Sequence, residues 1–232
     1  MITNIEYDNF KDSDYTVLPM SREIVAPGET PLSLYSKIAD QQNNFLFESV
    51  EGGDRWAQYS IIGFGCIDTI KISGKAIETM IDGVKDTYEA ENPLQEIEAI
   101  ISKHRSPNIE NLPRFYGGYI GFFAYESAQY AESKIALLPG KDSKFAEHMP
   151  DIMLVKAEQL IIFDNLNNST QVIFNASLEN MTYEFAQSKL DDIEKKLTTH
   201  AESEAKEFKP ITNSFTFESN FTKEEYCDAV NA

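Results

Sequence analysis

The residue types best suited to chemistry gather in one short stretch. Leu46-Phe47-Glu48-Ser49 is followed by Glu51-Gly52-Gly53-Asp54 and then by Trp56-Ala57-Gln58-Tyr59-Ser60. A free amino acid needs an anion for its ammonium group and hydroxyl or N–H donors for its carboxylate, and Glu48, Ser49 and Ser60 supply those types beside apolar walls. The same pattern also fits a solvated polar pair that closes a strand before a turn. Adjacent side chains on a regular strand point to opposite faces, so Glu48 and Ser49 can share one ligand only through a bulge, a strand end or the backbone. No catalytic set appears elsewhere. His104, His148 and His200 have no metal-ligand partner at helical or strand spacing and read as surface or helix-end residues. Gly117-Gly118-x-x-Gly121 is the nearest approach to a nucleotide loop, and glycines inside an aromatic strand serve close packing.

The elements that must position this stretch are legible in outline. Pro31–Ala39 places Leu34, Ile38 and Tyr35 on one face of a short helix. Phe45–Val50 and Trp56–Gly63 read as strands joined through the Gly52-Gly53 turn, and further strands follow at 66–73 and 75–80. Asn92-Pro93 opens a helix whose stripe is Leu94, Ile97, Ile100 and Ile101, with Lys103, His104 and Arg105 at its negative end. The aromatic, glycine-rich block Phe115–Glu126 reads as a strand turning into a helix through 124–131. Asp151–Asp164 and Thr170–Ala176 are apolar runs joined by the hairpin loop Asn165–Ser169, and 182–198 is helical with Ala186, Leu190, Ile193 and Leu197 at its core. Residues 199–213 are polar and read as a linker. Thr222-Lys223-Glu224-Glu225 is a capping box, with Phe221 and Tyr226 placed to staple it. The helix it opens has about ten residues before Ala232, fewer than the ~12–15 an isolated helix needs, so the chain reads as cut inside an element.

Composition narrows the function classes. The 232 residues carry 20 Lys+Arg against 38 Asp+Glu, a net charge of −18 that repels a phosphate backbone and an anionic membrane surface. A 42% hydrophobic and 25% charged composition is that of a folding domain. The acidic N-terminus is unlike a signal peptide and no run approaches a membrane span, which points to the cytoplasm. Two cysteines without CxxC spacing fit a reducing compartment.

At Leu46-Phe47-Glu48-Ser49-Val50-Glu51-Gly52-Gly53-Asp54-Arg55-Trp56-Ala57-Gln58-Tyr59-Ser60-Ile61-Ile62-Gly63 the sequence resembles the N-terminal region of anthranilate synthase component I, the large subunit, where Leu-Leu-Glu-Ser, an acidic glycine turn and Gly-Arg-Tyr-Ser are typical. Pro113–Glu126 is similar to the family's Pro-Arg-Phe-x-Gly-Gly-x-x-Gly-x-x-x-Tyr-Asp segment, and Phe221–Tyr226 to the start of its chorismate-binding domain. The three blocks stand in the family's order and spacing.

The resemblance implies a lyase of tryptophan biosynthesis. It would make anthranilate and pyruvate from chorismate and ammonia, with magnesium, the ammonia coming from glutamine through an amidotransferase subunit, component II. It implies that the catalytic and magnesium-binding residues lie in the chorismate-binding domain, beyond this segment, so that the segment alone is inactive and needs no cofactor. What it carries over here is the L-tryptophan feedback site: Phe47, Glu48 and Ser49, then Tyr59 and Ser60 on the returning strand. Ala57-Gln58 departs from the usual Gly-Arg and so lacks a guanidinium. The expected fold is α+β, a four-layer α/β/β/α sandwich of two antiparallel sheets with the 115–125 block in its centre. The expected domains are 1–198 (regulatory), 199–213 (linker) and 214–232 (start of the catalytic domain). Two alternatives stand beside this reading, aminodeoxychorismate synthase component I and a stand-alone small-molecule-binding module.

Overall fold

Residues 2–38, 43–48, 58–110, 112–132, 134, 149–198 and 219–231 are described by the structure, a computed structural model. The chain forms two units, Met1–His200 and Ala201–Ala232.

The larger unit is α+β, with two antiparallel sheets of five strands each. Its elements are α1 (Asn4–Lys11), β1 (Val17–Ile24), α2 (Pro31–Ile38), β2 (Phe45–Phe47), β3 (Tyr59–Phe64), β4 (Thr69–Ser73), β5 (Ala76–Ile81), β6 (Val84–Glu89), α3 (Pro93–Ile101), β7 (Gly118–Phe123), a 3₁₀ turn (Tyr125–Tyr130), β8 (Ile152–Ala157), β9 (Gln159–Asp164), β10 (Ser169–Ser177) and α4 (Tyr183–Thr198). The first sheet runs β1-β10-β9-β3-β2 and the second β6-β5-β4-β8-β7. Two runs of chain, β3–β4 and β8–β9, pass from one sheet into the other. Only 65–68 separate β3 from β4, and only Glu158 separates β8 from β9. Since β3 pairs with β9 and β4 with β8, the two chains turn the corner side by side, with Gly65 at φ +59° where a side chain would be strained.

Alternation along these strands sorts the core. In the first sheet Ile62, Phe64, Ile161, Phe163, Val172 and Phe174 face the helices, where they bury Leu34 and Ile38 of α2 and Ala186, Leu190, Ile193 and Leu197 of α4. Arg22 of β1 fixes α4 from its polar side, donating to Asp191 (2.6 Å), Glu194 (2.8 Å) and Gln187 (2.9 Å). The opposite face carries Leu160, Ile162 and Ile173 against Phe45, Tyr59, Ile61, Leu112, Phe115 and Tyr116. In the second sheet Ile70, Ile72, Ile77, Ile152 and Leu154 pack on Ile97 and Ile100 of α3. That helix starts as its sequence dictates, with the Asn92 side chain accepting from the Gln95 N–H and Pro93 in the first turn.

Three departures from the sequence reading have physical causes. The run 151–164 is two strands in different sheets. The N-terminal strip holds α1, closed by a capping box between Thr3 and Glu6, and the edge strand β1. The 115–125 block is not central throughout: β7 is an edge strand, so Phe122, Phe123 and Tyr125 stay exposed while Phe115, Tyr116 and Tyr119 pack. Its glycines do serve close approach. A Cβ on Gly121 would lie 1.9 Å from the Met153 carbonyl oxygen, and one on Gly117 would lie 2.6 Å from the Asn175 amide nitrogen.

In the smaller unit α5 (Lys223–Asn231) begins at the capping box read from the sequence. The Thr222 N–H and hydroxyl both donate to the Glu225 carboxylate (2.8 and 3.0 Å), and the Glu225 N–H donates to the Thr222 hydroxyl (3.2 Å). The 199–213 linker lies outside the described residues.

Candidate functional site

The edge of the first sheet positions the site. Strand β2 pairs with β3 in the register Phe45↔Gly63, Leu46↔Ile62, Phe47↔Ile61. Residues directly opposite share a face, so Phe45, Phe47, Ile61 and Tyr59 lie on one side of the sheet, away from the helices. Gly63 makes room for this arrangement, because a Cβ there would sit 2.0 Å from the Phe45 ring. The Phe45 and Phe47 rings are 5.3 Å apart, and Phe47 remains 49% exposed at the open edge. The strand ends at Phe47, which leaves Glu48 exposed just past its end. A strand end was one of the three ways in which Glu48 and its neighbour could serve one ligand. Ser49, the Glu51–Asp54 turn, Trp56 and Ala57 lie outside the described residues.

Tyr59 is held by a polar network that the sequence did not announce. Gln58 donates through Nε2 to the Tyr59 hydroxyl (2.8 Å) and to Asp164 Oδ2 (3.2 Å). Asp164 also accepts from the Leu166 and Asn167 N–H groups (2.9 and 3.0 Å) and from the Asn167 side chain (2.9 Å). Burial pushes the Asp164 carboxyl up, but the hydrogen bonds from Asn167 and Gln58 outweigh it and hold the group below the usual aspartate range. The amide of Gln58 therefore joins a tyrosine hydroxyl to a carboxylate, where a guanidinium would be usual in the resembling family. The signal that could have revealed it is Asp164-x-x-Asn167, an Asx-type turn at the tip of the β9–β10 hairpin.

Ser60 parts from the others. It stands opposite Phe163 on the helix-facing side, is 2% exposed, and accepts from the Asn165 side chain (3.3 Å). The structure thus brings Phe47 and Tyr59 onto one face with Glu48 at its rim, and puts Ser60 behind the sheet. An aromatic shelf beside an exposed carboxylate can take up a group that is apolar on one side and cationic on the other. Among the described residues no three His, Cys, Asp or Glu side chains converge to hold a metal ion, and no helix is long and apolar enough to cross a membrane.

The histidine and cysteine readings can be placed as well. His104 follows α3 and is half-buried, with Nε2 3.2 Å from the Tyr119 hydroxyl; burial and Lys156 together depress its basicity. His148 and His200 lie outside the described residues. Neither cysteine is in a disulfide, and burial pushes the Cys66 thiol up to about 11.

The sequence pattern of the chorismate binding enzyme family matches residues 42–232, over four-fifths of the chain, and begins just before β2. The chain belongs to that family. Similar relatives include anthranilate synthase component 1 of Pseudomonas aeruginosa, 33% identical over 93% of this chain and 44% of the relative. The protein of the same name from Neisseria gonorrhoeae is 35% identical over 85% of this chain and 40% of the relative. The chain therefore spans less than half the length of the curated relatives it matches. Among solved structures, anthranilate synthase component I from Streptococcus pneumoniae TIGR4 is similar over 78% of this chain and 38% of that one, with TM-score 0.47 and 22% identity.

Proposed function

We propose that this chorismate binding enzyme is the N-terminal part of anthranilate synthase component I, acting in the cytoplasm, and that it carries the L-tryptophan feedback site of the enzyme. The observation that carries the reading is the Leu46-Phe47-Glu48-Ser49 block inside a family match shared with relatives of that name over 93% of the chain. In the full-length enzyme, chorismate and ammonia delivered by component II would give anthranilate and pyruvate. Residues 1–198 serve as the regulatory domain, 199–213 as a linker and 214–232 as the start of the catalytic domain. The magnesium the reaction would use belongs to the catalytic domain.

Each site residue is assigned a role in this reading. Glu48, at the end of β2, meets the ammonium group of tryptophan; Phe47 and Tyr59 flank the indole; Ser49 fixes the ligand. Ser60 acts from behind the sheet as a packing residue that holds Asn165 and so the Gln58–Asp164 network in front. Inhibition requires that tryptophan bind the less active conformation more tightly than the active one.

The test uses the full-length chain: anthranilate fluorescence from chorismate, magnesium and ammonia, with and without tryptophan, for wild type and Ser49→Ala. Inhibition in the wild type that is relieved in the variant is the expected result. Chorismate consumed without anthranilate would move the assignment to aminodeoxychorismate synthase. Anthranilate formation equally inhibited in Ser49→Ala would remove the effector site from this strand end.

A further inference from the structure

A cavity of about 500 Å³ lies within the larger unit, between the paired strands β1 and β10 of the first sheet and the end of α3. That volume is in the range of small-molecule sites. Its floor is Lys156, Glu158 and Asn175, where β8 passes into β9. Val17, Ile81 and Ile100 give it apolar walls. The charged lining is balanced: Lys103, Arg105 and Lys156 face Asp82, Glu158 and Glu179.

The balance hides an asymmetry in which charges are already used. Lys156 is committed to Asp68 (3.3 Å), whose other oxygen accepts from the Asp82 N–H (3.0 Å). Glu158 accepts no side-chain hydrogen bond among the described residues, and burial, helped by the Asp68 and Asp82 charges, raises its pKa against the opposing pull of Lys156 and Lys189. Its backbone is fixed, with its carbonyl accepting from the Asn175 N–H (2.9 Å), and the residue lines the cleft. Arg105 is fixed at the rim by its Nε–H to the Asp14 carbonyl (2.6 Å), and its two terminal nitrogens have no partner among the described residues. Lys103 beside it is exposed and likewise unpaired. A partly desolvated carboxylate below and an anchored guanidinium above are each costly or idle alone, and a ligand with both signs of charge would satisfy the two together.

We propose that this cleft binds a small zwitterion, its ammonium group set on Glu158 and its anionic group held by Arg105 and Lys103. The site is independent of the effector site proposed at Glu48. It is tested by calorimetric titration of the full-length protein with ω-amino acids of increasing length (glycine, β-alanine, 4-aminobutanoate, 6-aminohexanoate), beside n-butylamine and butyrate. The expected result is saturable binding of at least one length, about tenfold tighter than the amine or the carboxylate alone, because each of the two charge pairs contributes. Glu158→Gln and, at the exposed rim, Arg105→Gln should each weaken it about tenfold or more, while Glu48→Gln leaves it unchanged. The rim variant keeps the test open if Glu158→Gln fails to fold. No binding of any length at millimolar concentration overturns the proposal. So does equal binding of n-butylamine, which would make the cleft a plain cation site, or loss of binding in Glu48→Gln, which would put the ligand at the other site.

Discussion

Asn175 offers the sharpest test of how the two faces of the first sheet are joined. Its side chain is 6% exposed and its Nδ2 donates to the carbonyls of Tyr116 (2.8 Å) and Ala157 (3.2 Å), with Glu158 O at 3.5 Å. One amide thus ties the 112–116 segment, which covers the same face as Tyr59, to the corner of the molecule. Asn175→Ala removes a donor from two carbonyls. At about 1–3 kcal/mol for each buried group left unpaired, and with water from the adjoining cavity able to reach one of them, the loss should be about 2–3 kcal/mol. For a unit of this size that is a fall in Tm of roughly 4–12 °C. Asn175→Asp is the discriminating variant, because it keeps the shape but turns the donor into an anion facing three carbonyl oxygens. Its carboxyl should titrate above the unfolded value of about 3.9. A group whose folded pKa is raised is penalised as pH climbs from the unfolded to the folded value. Relative to wild type at each pH, this variant should therefore be close to the alanine variant or better at pH 4, and lose about a further 4 kcal/mol by pH 8 if the shift is about three units. Urea unfolding followed by circular dichroism at both pH values reads this directly. A pH-independent deficit for Asn175→Asp, or an Asn175→Ala variant within about 0.5 kcal/mol of wild type, would refute the reasoning.

Three further predictions follow from particular contacts. Gly121→Ala should part β7 from β8, because its Cβ would meet the Met153 carbonyl at 1.9 Å; hydrogen exchange of the Gly118–Phe123 amides should rise while that of β9 and β10 does not. Iodoacetamide at pH 8 should label Cys227 and spare Cys66, whose thiol at about 11 leaves only about one molecule in a thousand as thiolate; peptide mass mapping that finds equal labelling would contradict it. Asp164 titrates below its ordinary 3.8, so its stabilisation is complete above that value and is lost as pH falls below it. Asp164→Asn should accordingly flatten the acid limb of the stability curve below about pH 4, measured against wild type by thermal unfolding.

What could be read from the sequence was whatever a local period or cap encodes. The stripes of α2, α3 and α4, the Asn92 cap and the Thr222 capping box are patterns of three to four residues, and each element is where its pattern puts it. The corner was not legible. Glu158 is an ordinary polar residue in an apolar run, and only its long-range pairings make 151–157 and 159–164 belong to different sheets. Strand β1 was obscured by Pro19, which an edge strand tolerates because one side of it needs no ladder. Strand β6 was obscured by its exposure, since Val84–Glu89 has no buried face to impose an apolar alternation. The Asp82-Gly83 pair, with φ of 50° and 77°, was the hairpin signal available there. At the candidate site, the register Phe47↔Ile61 is what puts Phe47 and Tyr59 on one face, and alternation along β3 then separates Ser60 from them. The Gln58–Asp164 link spans 106 residues and no local rule reaches that far.

The pairing of β1 with β10 has a consequence for how the protein is made. Val17 stands opposite Ser177, so the strand nearest the N-terminus closes only against one that is translated 177 − 17 = 160 residues later. At about 5–20 residues per second, β1 waits roughly 8–30 s on the ribosome before its partner exists. During that wait Leu18 and Met20, fully buried in the finished unit, have no surface to cover them. Pro19 between them, unable to donate to a ladder, makes the waiting strand a poorer template for pairing with a neighbouring chain.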